Sequence, residues 1–424
     1  MASIIRPVTN FLRKQSILKQ ITRTALWSEV QMAIPDPMFD LKDKYLKCTS
    51  KKKVNLVVDG YQNDYGKSFV FTSVQKAEKL LHSMKLYKEY SPILGDDNFH
   101  KLCLQLVLGE ETEYTHNGMI STLQTVAGTG AMRMGLIFIQ KFFPGKKTVY
   151  LSNPIWNVFP TMCKWCGLNV GSYRYYDLTV RDFDYTGLIE DISKLENAAV
   201  VFFYASAHFP TGLDPAPAQW DEIINIVKKK KLLPLFFLHC LGLASGNIDT
   251  DAFVVRKFVQ EGIQCMWALS LSKTMGLYGE RVGQLAIITR SEEETQRINS
   301  QLKILVRGVY SSPPVNGSRI AMKILEDSGL RADWQSEIRE MSDRISDVRK
   351  ALAKSLHEVG SKASWEHLTK PVGLASMTGF TADQCERLVT DFSVYLPSTG
   401  QMMFGGINTK NIEYIARCFH EVTK

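Results

Sequence analysis

Lys273 lies in the stretch SLSKTMGLYGERVG (270–283), with Ser270 and Ser272 beside it and Arg281 eight residues on. A lysine amine can condense with an aldehyde and so hold a carbonyl compound covalently. Serine hydroxyls and a guanidinium are the groups that would cup a phosphate on the same molecule. Pyridoxal phosphate carries both functions, an aldehyde and a phosphate, and is the cofactor this set would suit. The residues alone are equally compatible with a surface lysine in a polar turn. A second stretch, AGTGAMRMG (127–135), places glycines before the apolar run AMRMGLIFIQKFF. Free N–H groups at such a helix start could hold a phosphate, although glycine before a helix is common.

Elements must position these groups. The chain has 424 residues, 45% hydrophobic and 22% charged, the balance of a globular protein with enough apolar content for a sizeable core. VNLVV (54–58), TVYLSN (148–153), VVFFYA (200–205), LPLFFL (233–238), CMWALS (265–270) and QLAIIT (284–289) read as buried strands. Helical patterns such as QWDEIINIVKKKKL (219–232) lie between them. This alternation predicts an α/β fold with a largely parallel central sheet. Ile338, Met341, Ile345, Val348, Leu352 and Leu356 form one stripe of a long amphipathic helix, which introduces a smaller α+β lobe.

The net charge is +8, yet Arg6, Arg13, Lys14, Lys19 and Arg23 precede the first acidic residue, Glu29. Without those five the excess falls to +3, too small to argue for nucleic acid. Ile4, Ile5, Phe11, Leu12, Ile17, Leu18 and Ile21 fall near helical spacing among the basic residues. An acid-free, basic, amphipathic start reads as a mitochondrial transit peptide over residues 1–26; the bland alternative is a basic arm. No run approaches the roughly 18 apolar residues of a membrane span. Cys163 and Cys166 form the one close cysteine pair among eight cysteines. With no second CxxC or HxxxH they read as packing cysteines on a helix, and no metal site is expected.

The chain resembles the aspartate aminotransferases, the fold-type I pyridoxal-phosphate enzymes, and among them the mitochondrial form. WSEVQMAIPDP (27–37), KEYSPILG (88–95), VAGTGAMRMG (126–135), NPIWN (153–157), AHFPTGLDP (207–215), GLASGN (242–247), SLSKTMGLYGERVG, QLKILVRGVYSSPP (301–314) and TKNIEYIA (409–416) carry the resemblance in order. It implies a large domain with a mostly parallel sheet (67–335), a smaller α+β domain (336–424), and an arm with part of the small domain at 27–66. It implies pyridoxal 5'-phosphate, a homodimer, dicarboxylic amino acid and 2-oxo acid substrates, and the mitochondrial matrix. Lys273 would be the lysine that binds the cofactor and shuttles the Cα proton. Gly128, Thr129, Ser270 and Arg281 would hold the phosphate, joined by Tyr90 from the other subunit. Trp156 would stack on the ring, and Arg307 would cross the dimer to the substrate's distal carboxylate.

Several expected partners are replaced. The aspartate that faces the ring nitrogen is Phe237, and the histidine that supports it is Phe159. The asparagine and tyrosine near the phenolic oxygen are Phe209 and Cys240. The arginine for the α-carboxylate is Gln401, and a glycine near the substrate is Asp59. A hydrogen bond to a charged group contributes roughly 1.5–3 kcal/mol. Losing two, at 237 and 401, would slow turnover by about two to four powers of ten. The resemblance therefore predicts reduced transamination between aspartate and 2-oxoglutarate. The alternatives are a non-catalytic homologue serving as a dimer partner, or a pyridoxal-phosphate protein whose chemistry does not need a protonated ring.

Overall fold

The computed structural model describes residues 26–33, 36–57, 60–109 and 112–424. Seven strands form its central sheet: β1 (Ile120–Val126), β2 (Thr148–Asn153), β3 (Asn169–Arg174), β4 (Val200–Tyr204), β5 (Leu233–Leu238), β6 (Met266–Ser270) and β7 (Val282–Ile288). Their order across the sheet is β1-β7-β6-β5-β4-β2-β3. Only β7 runs against its neighbours, pairing antiparallel with β1 and β6. The register sets Tyr204 beside Phe237, Phe237 beside Ala268, and Gly283 beside Ser270. β4, β6 and β7 are buried at every residue, because helices cover both faces. This is why their sequences are continuous apolar runs rather than alternating ones.

The strand expectations hold for β2 and β4 to β7 within two residues at each end. VNLVV needs correction. Among its described residues only Val54–Asn55 forms a strand, and it pairs with Val394–Tyr395 in a separate two-stranded sheet. Leu56 continues the contact, donating to the Tyr395 carbonyl and accepting from the Met403 N–H, so this buried segment joins the chain near its C-terminus rather than the central sheet. β1 and β3 went unread because ISTLQTV and NVGSYR carry too many polar residues to stand out.

Six helices frame the site and the second lobe: α1 (Ala127–Phe142), α2 (Val158–Trp165), α3 (Pro217–Lys230), α4 (Leu271–Thr274), α5 (Glu292–Val309) and α6 (Ser328–Glu358). Every member of the stripe from Ile338 to Leu356 is buried along α6. Cys163 packs inside α2, and Cys166 caps it. α1 begins at Ala127, so Gly128 and Gly130 lie within its first turn rather than ahead of it.

α6 also carries a fully buried arginine. Arg349 donates through Nη1 to the Leu368 carbonyl (3.1 Å) and Ser376 Oγ (2.9 Å). Through Nη2 it donates to the carbonyls of Gly373 and Ala375, both at 2.7 Å. Its guanidinium lies 3.9 Å from the centre of the Phe404 ring. One side chain thus ties the long helix to the chain around the strand Ala375–Met377. Arg349→Met keeps much of the apolar stem but leaves those acceptors buried and unpaired. Unfolding free energy should fall by roughly 2–4 kcal/mol, read by denaturant or thermal unfolding; a change within about 0.5 kcal/mol would show the contacts to be energetically idle.

Candidate functional site

The carboxyl ends of β1, β2, β4, β5 and β6 lie along one edge of the sheet, since all five run the same way. Ligands of open α/β sheets bind at this edge. The helices and loops that leave it carry Gly128 and Thr129 after β1, Trp156 after β2, Phe209 after β4, Cys240 after β5, and Lys273 after β6. Arg281 precedes β7 and returns to the same edge.

The polar end of the site is built around the start of α1, which has no side-chain cap. Its leading N–H groups therefore lack the partner that a capping serine or aspartate supplies. Arg281 donates to Thr129 Oγ1 (3.3 Å) and to the Tyr278 carbonyl (3.1 Å). The Ala127 N–H donates to the Arg281 carbonyl at 3.0 Å. Both of those residues hold left-handed backbones, with φ of 57° and 54°. Such conformations are uncommon for non-glycine residues and concentrate at ligand clamps. A Cβ on Gly128 would sit 2.7 Å from Phe237 Cε2 and 2.8 Å from Ser270 Cβ, so only glycine fits there. Ser270 caps α4 and accepts from the Ser272 N–H at 3.4 Å. Ser272 Oγ is buried with no hydrogen-bond partner among the described residues. An uncapped helix start, a guanidinium and an orphaned hydroxyl together suit a phosphate.

The other end is aromatic. Phe159 is fully buried, meets Phe237 edge-on at 5.2 Å and Trp156 edge-on at 5.4 Å, and lies tilted against Phe202 at 4.8 Å. Trp156 also meets Phe209 edge-on at 6.3 Å. Three of the replaced positions therefore form one packed group with the tryptophan expected to stack on the ring. Each edge-to-face pair contributes about 0.5–1.5 kcal/mol beyond its buried area.

Two carboxylates, half-buried Asp214 and buried Asp251, fix the loops around this group. Asp214 accepts from the N–H groups of Ala207 (2.7 Å) and His208 (2.9 Å). Asp251 accepts from those of Gly242, Ala244 and Ser245 and from Ser245 Oγ. Burial pushes each carboxyl up to about 6 against the pull of those hydrogen bonds. His208 is a satisfied core histidine. It pairs with Ser152 Oγ and Thr211 Oγ1, both at 2.8 Å, and stacks on Tyr175.

His239 was missed by the sequence reading. Its ring lies parallel to that of Phe237 with centroids 5.5 Å apart, and meets Phe209 and Tyr204 edge-on. Burial, then the charge of Lys273, then His208, push its imidazole well below 6.5. Lys273 itself is half-buried in α4. Strand alternation could have exposed His239, since it lies two residues beyond Phe237 and so shares its face.

The remaining candidates lie apart. Tyr90 is 84% exposed, and Arg307 is exposed on the last turn of α5, donating to Ser311 Oγ at 2.5 Å. Gln401 is half-buried in a short strand paired with Ala375–Met377. Cys240 is buried beside His239. Asp59 and residues 1–25 of the expected leader lie outside the described residues. Among the described residues, no group of three or more His, Cys, Asp or Glu is arranged to hold a metal. No helix among them is long and apolar enough to cross a membrane.

Comparison with known proteins agrees with this layout. The family "Aminotransferase class I and II" matches residues 51–418. The mitochondrial aspartate aminotransferase of Xenopus tropicalis is 42% identical over 94% of this chain and 93% of its own. That of Gallus gallus is 41% identical over 94% of each. Among solved structures, the aromatic-amino-acid aminotransferase from Burkholderia pseudomallei, covalently bound to pyridoxal phosphate, superposes with a TM-score of 0.91 at 33% identity, over 95% of this chain and 100% of that one. A mitochondrial aspartate aminotransferase from Trypanosoma brucei gives 0.88 at 32% identity, over 91% and 100%. The chain belongs to the class I and II aminotransferases.

Proposed function

We propose that this chain binds pyridoxal 5'-phosphate and transfers an amino group between L-aspartate and 2-oxoglutarate, giving oxaloacetate and L-glutamate, at a much reduced rate. The observation that carries the reading is the cup of Gly128, Thr129, Ser270 and Arg281 at an uncapped helix start, with Lys273 one turn beyond. Those residues fit the phosphate, and the Lys273 amine would hold the aldehyde carbon. When bound, pyridoxal phosphate supplies an electron sink for the bond broken at the amino acid's Cα. Lys273 would also carry the proton to and from that carbon. Trp156 would lie against the ring face. Arg307 would pair with the substrate's distal carboxylate in a two-point contact suited to guanidinium.

The reduced rate rests on the ring's other edge. Phe237 and Phe159 present carbon where a carboxylate would stabilise a protonated ring nitrogen. Gln401 replaces a cation at the substrate's α-carboxylate and offers only a neutral amide. A second reading, a non-catalytic homologue that pairs with an active subunit, draws on these same positions. Borohydride reduction of the protein with pyridoxal phosphate, followed by peptide mapping, should fix the label on Lys273, and Lys273→Ala should lose it. Absence of label on the wild type would sink the cofactor reading. Label without measurable aspartate turnover would favour the non-catalytic one.

Restoring the polar set tests the cause of the low rate. Phe237→Asp alone should help little, because its carboxylate would be buried beside Phe159 and take up a proton. Phe159→His, Phe237→Asp and Gln401→Arg together should raise kcat/KM for aspartate by about 10²–10⁴ over the wild type, more than the single changes combined. A wild type already as fast as ordinary family members, or a triple variant that gains nothing while still binding cofactor, would overturn this account.

Assembly and location follow from the same reading. Tyr90 and Arg307 are both exposed, as residues that complete a neighbour's site would be on an isolated chain. Leu26, Trp27, Val30 and Met32 expose apolar surface on the arm, and Met84, Leu86 and Tyr87 do so before Tyr90. These support a C2 homodimer. The basic start and the mitochondrial relatives support import into the mitochondrial matrix. The division into 27–66, 67–335 and 336–424 is likewise a proposal. The pairing of Val54–Asn55 with Val394–Tyr395 supports it, and α6 runs unbroken across residue 335. Protein isolated from cells should sediment as a dimer and begin in about the mid-twenties of the chain. A stable monomer with an intact N-terminus would contradict both parts.

A further inference from the structure

His239 takes no part in that chemistry, and its setting needs a reason. It directly follows β5, and its ring packs face to face with Phe237 while Phe209 and Tyr204 stand edge-on. The residue is only 8% exposed, and Nδ1 is buried with no hydrogen-bond partner among the described residues. His208, its neighbour in the same cluster, has both ring nitrogens paired. Buried polar atoms left unpaired are destabilising, and native structures seldom keep one without a ligand, water or function to explain it.

The charged and titratable groups that face this ring are Lys273 from α4, His208 and Tyr204 from the end of β4 and its loop, and Cys240 next in the chain. No carboxylate is among the groups that act on it. Its imidazole is therefore neutral, with one N–H to donate and one nitrogen to accept. Phe209 and Cys240 stand where the resembled family has its two partners for the cofactor's phenolic oxygen. His239 touches the first and adjoins the second.

Resting on the pyridoxal-phosphate reading, we infer that His239 is a cofactor-positioning residue that donates a hydrogen bond to the phenolic oxygen, in place of the groups lost at 209 and 240. The orphaned ring edge then has a partner, and the stack on Phe237 fixes the ring that makes the bond. The role depends on a histidine directly before Cys240 and on the aromatic walls that hold it.

His239→Phe keeps a ring between Phe237 and Phe209 but removes both nitrogens, whereas His239→Gln returns an N–H. Each variant is loaded with pyridoxal phosphate, and its visible absorbance is titrated with pH. Cofactor affinity and borohydride labelling of Lys273 are measured separately. A hydrogen bond given to an oxygen favours its ionised form, so losing the bond lets the site keep its proton to higher pH. The Phe variant should show a midpoint raised by about one pH unit and a pyridoxal phosphate Kd weakened about 5–10-fold. The Gln variant should recover part of both. If the Phe variant does not fold, His239→Ala carries the same comparison, with added imidazole expected to lower the raised midpoint again.

A Phe variant that titrates and binds like the wild type overturns the inference, as does a Gln variant with no recovery or an Ala variant that imidazole does not rescue. Lys273 labelling that persists in those cases leaves the cofactor reading standing. A wild type that takes no label at Lys273 removes both.

Discussion

Five strands that run the same way and end along one edge are the constraint on which the site depends. The C-terminal ends of β1, β2, β4, β5 and β6 deliver their loops to one edge, while β7 alone turns back, between β1 and β6. That reversal returns Arg281 to the edge where α1 begins, and joins the two by the hydrogen bond from Ala127 to Arg281. Two left-handed residues face each other across this link. Neither backbone is favourable alone, so the surrounding register must hold both. The cup thus follows from topology first and from side chains second.

Within that frame, one end of the proposed site is polar and the other is packed with aromatic rings. A lone aspartate at 237 would need a polar supporter at 159, since a buried carboxylate without partners is costly. Phe159 and Phe237 avoid the problem by contacting each other, Trp156 and Tyr204. The result is a well-packed apolar floor rather than a damaged polar one. Two carboxylates nearby, half-buried Asp214 and buried Asp251, hold backbone N–H groups of the 207–208 and 242–245 loops. Both are pushed up to about 6 by burial, so the fold bears an electrostatic cost to keep those loops in shape.

The sequence was informative where one cause dominated. Fully buried strands announce themselves as apolar runs, and VVFFY, LPLFFL and MWALS were legible for that reason. The stripe from Ile338 to Leu356 was legible because α6 packs along one face. VNLVV failed because burial does not say which sheet a run joins, and its partner lies some 340 residues away. The cup residues came from resemblance. Spacing alone left Lys273 undecided, since no local pattern shows that 128, 129, 270 and 281 meet. His239 is not legible for a different reason: it occupies none of the positions at which the resemblance expects a polar group, and only the fold sets its ring against Phe237.

Counting lost residues treats each position as an independent switch, yet the side chains of this site act through shared contacts. Phe237 sets the space over Gly128, stacks on His239 and meets Phe159, so one substitution touches the phosphate cup, the neutral imidazole and the apolar floor together. Lys273 in turn acts electrostatically on the imidazole that Phe237 holds in place. A low local dielectric strengthens every such interaction that is satisfied and penalises each one that is not. The ring end is therefore not an empty version of a polar pocket. It is a different environment, in which a neutral ring is held by Phe237, Phe209 and Tyr204 within electrostatic reach of Lys273.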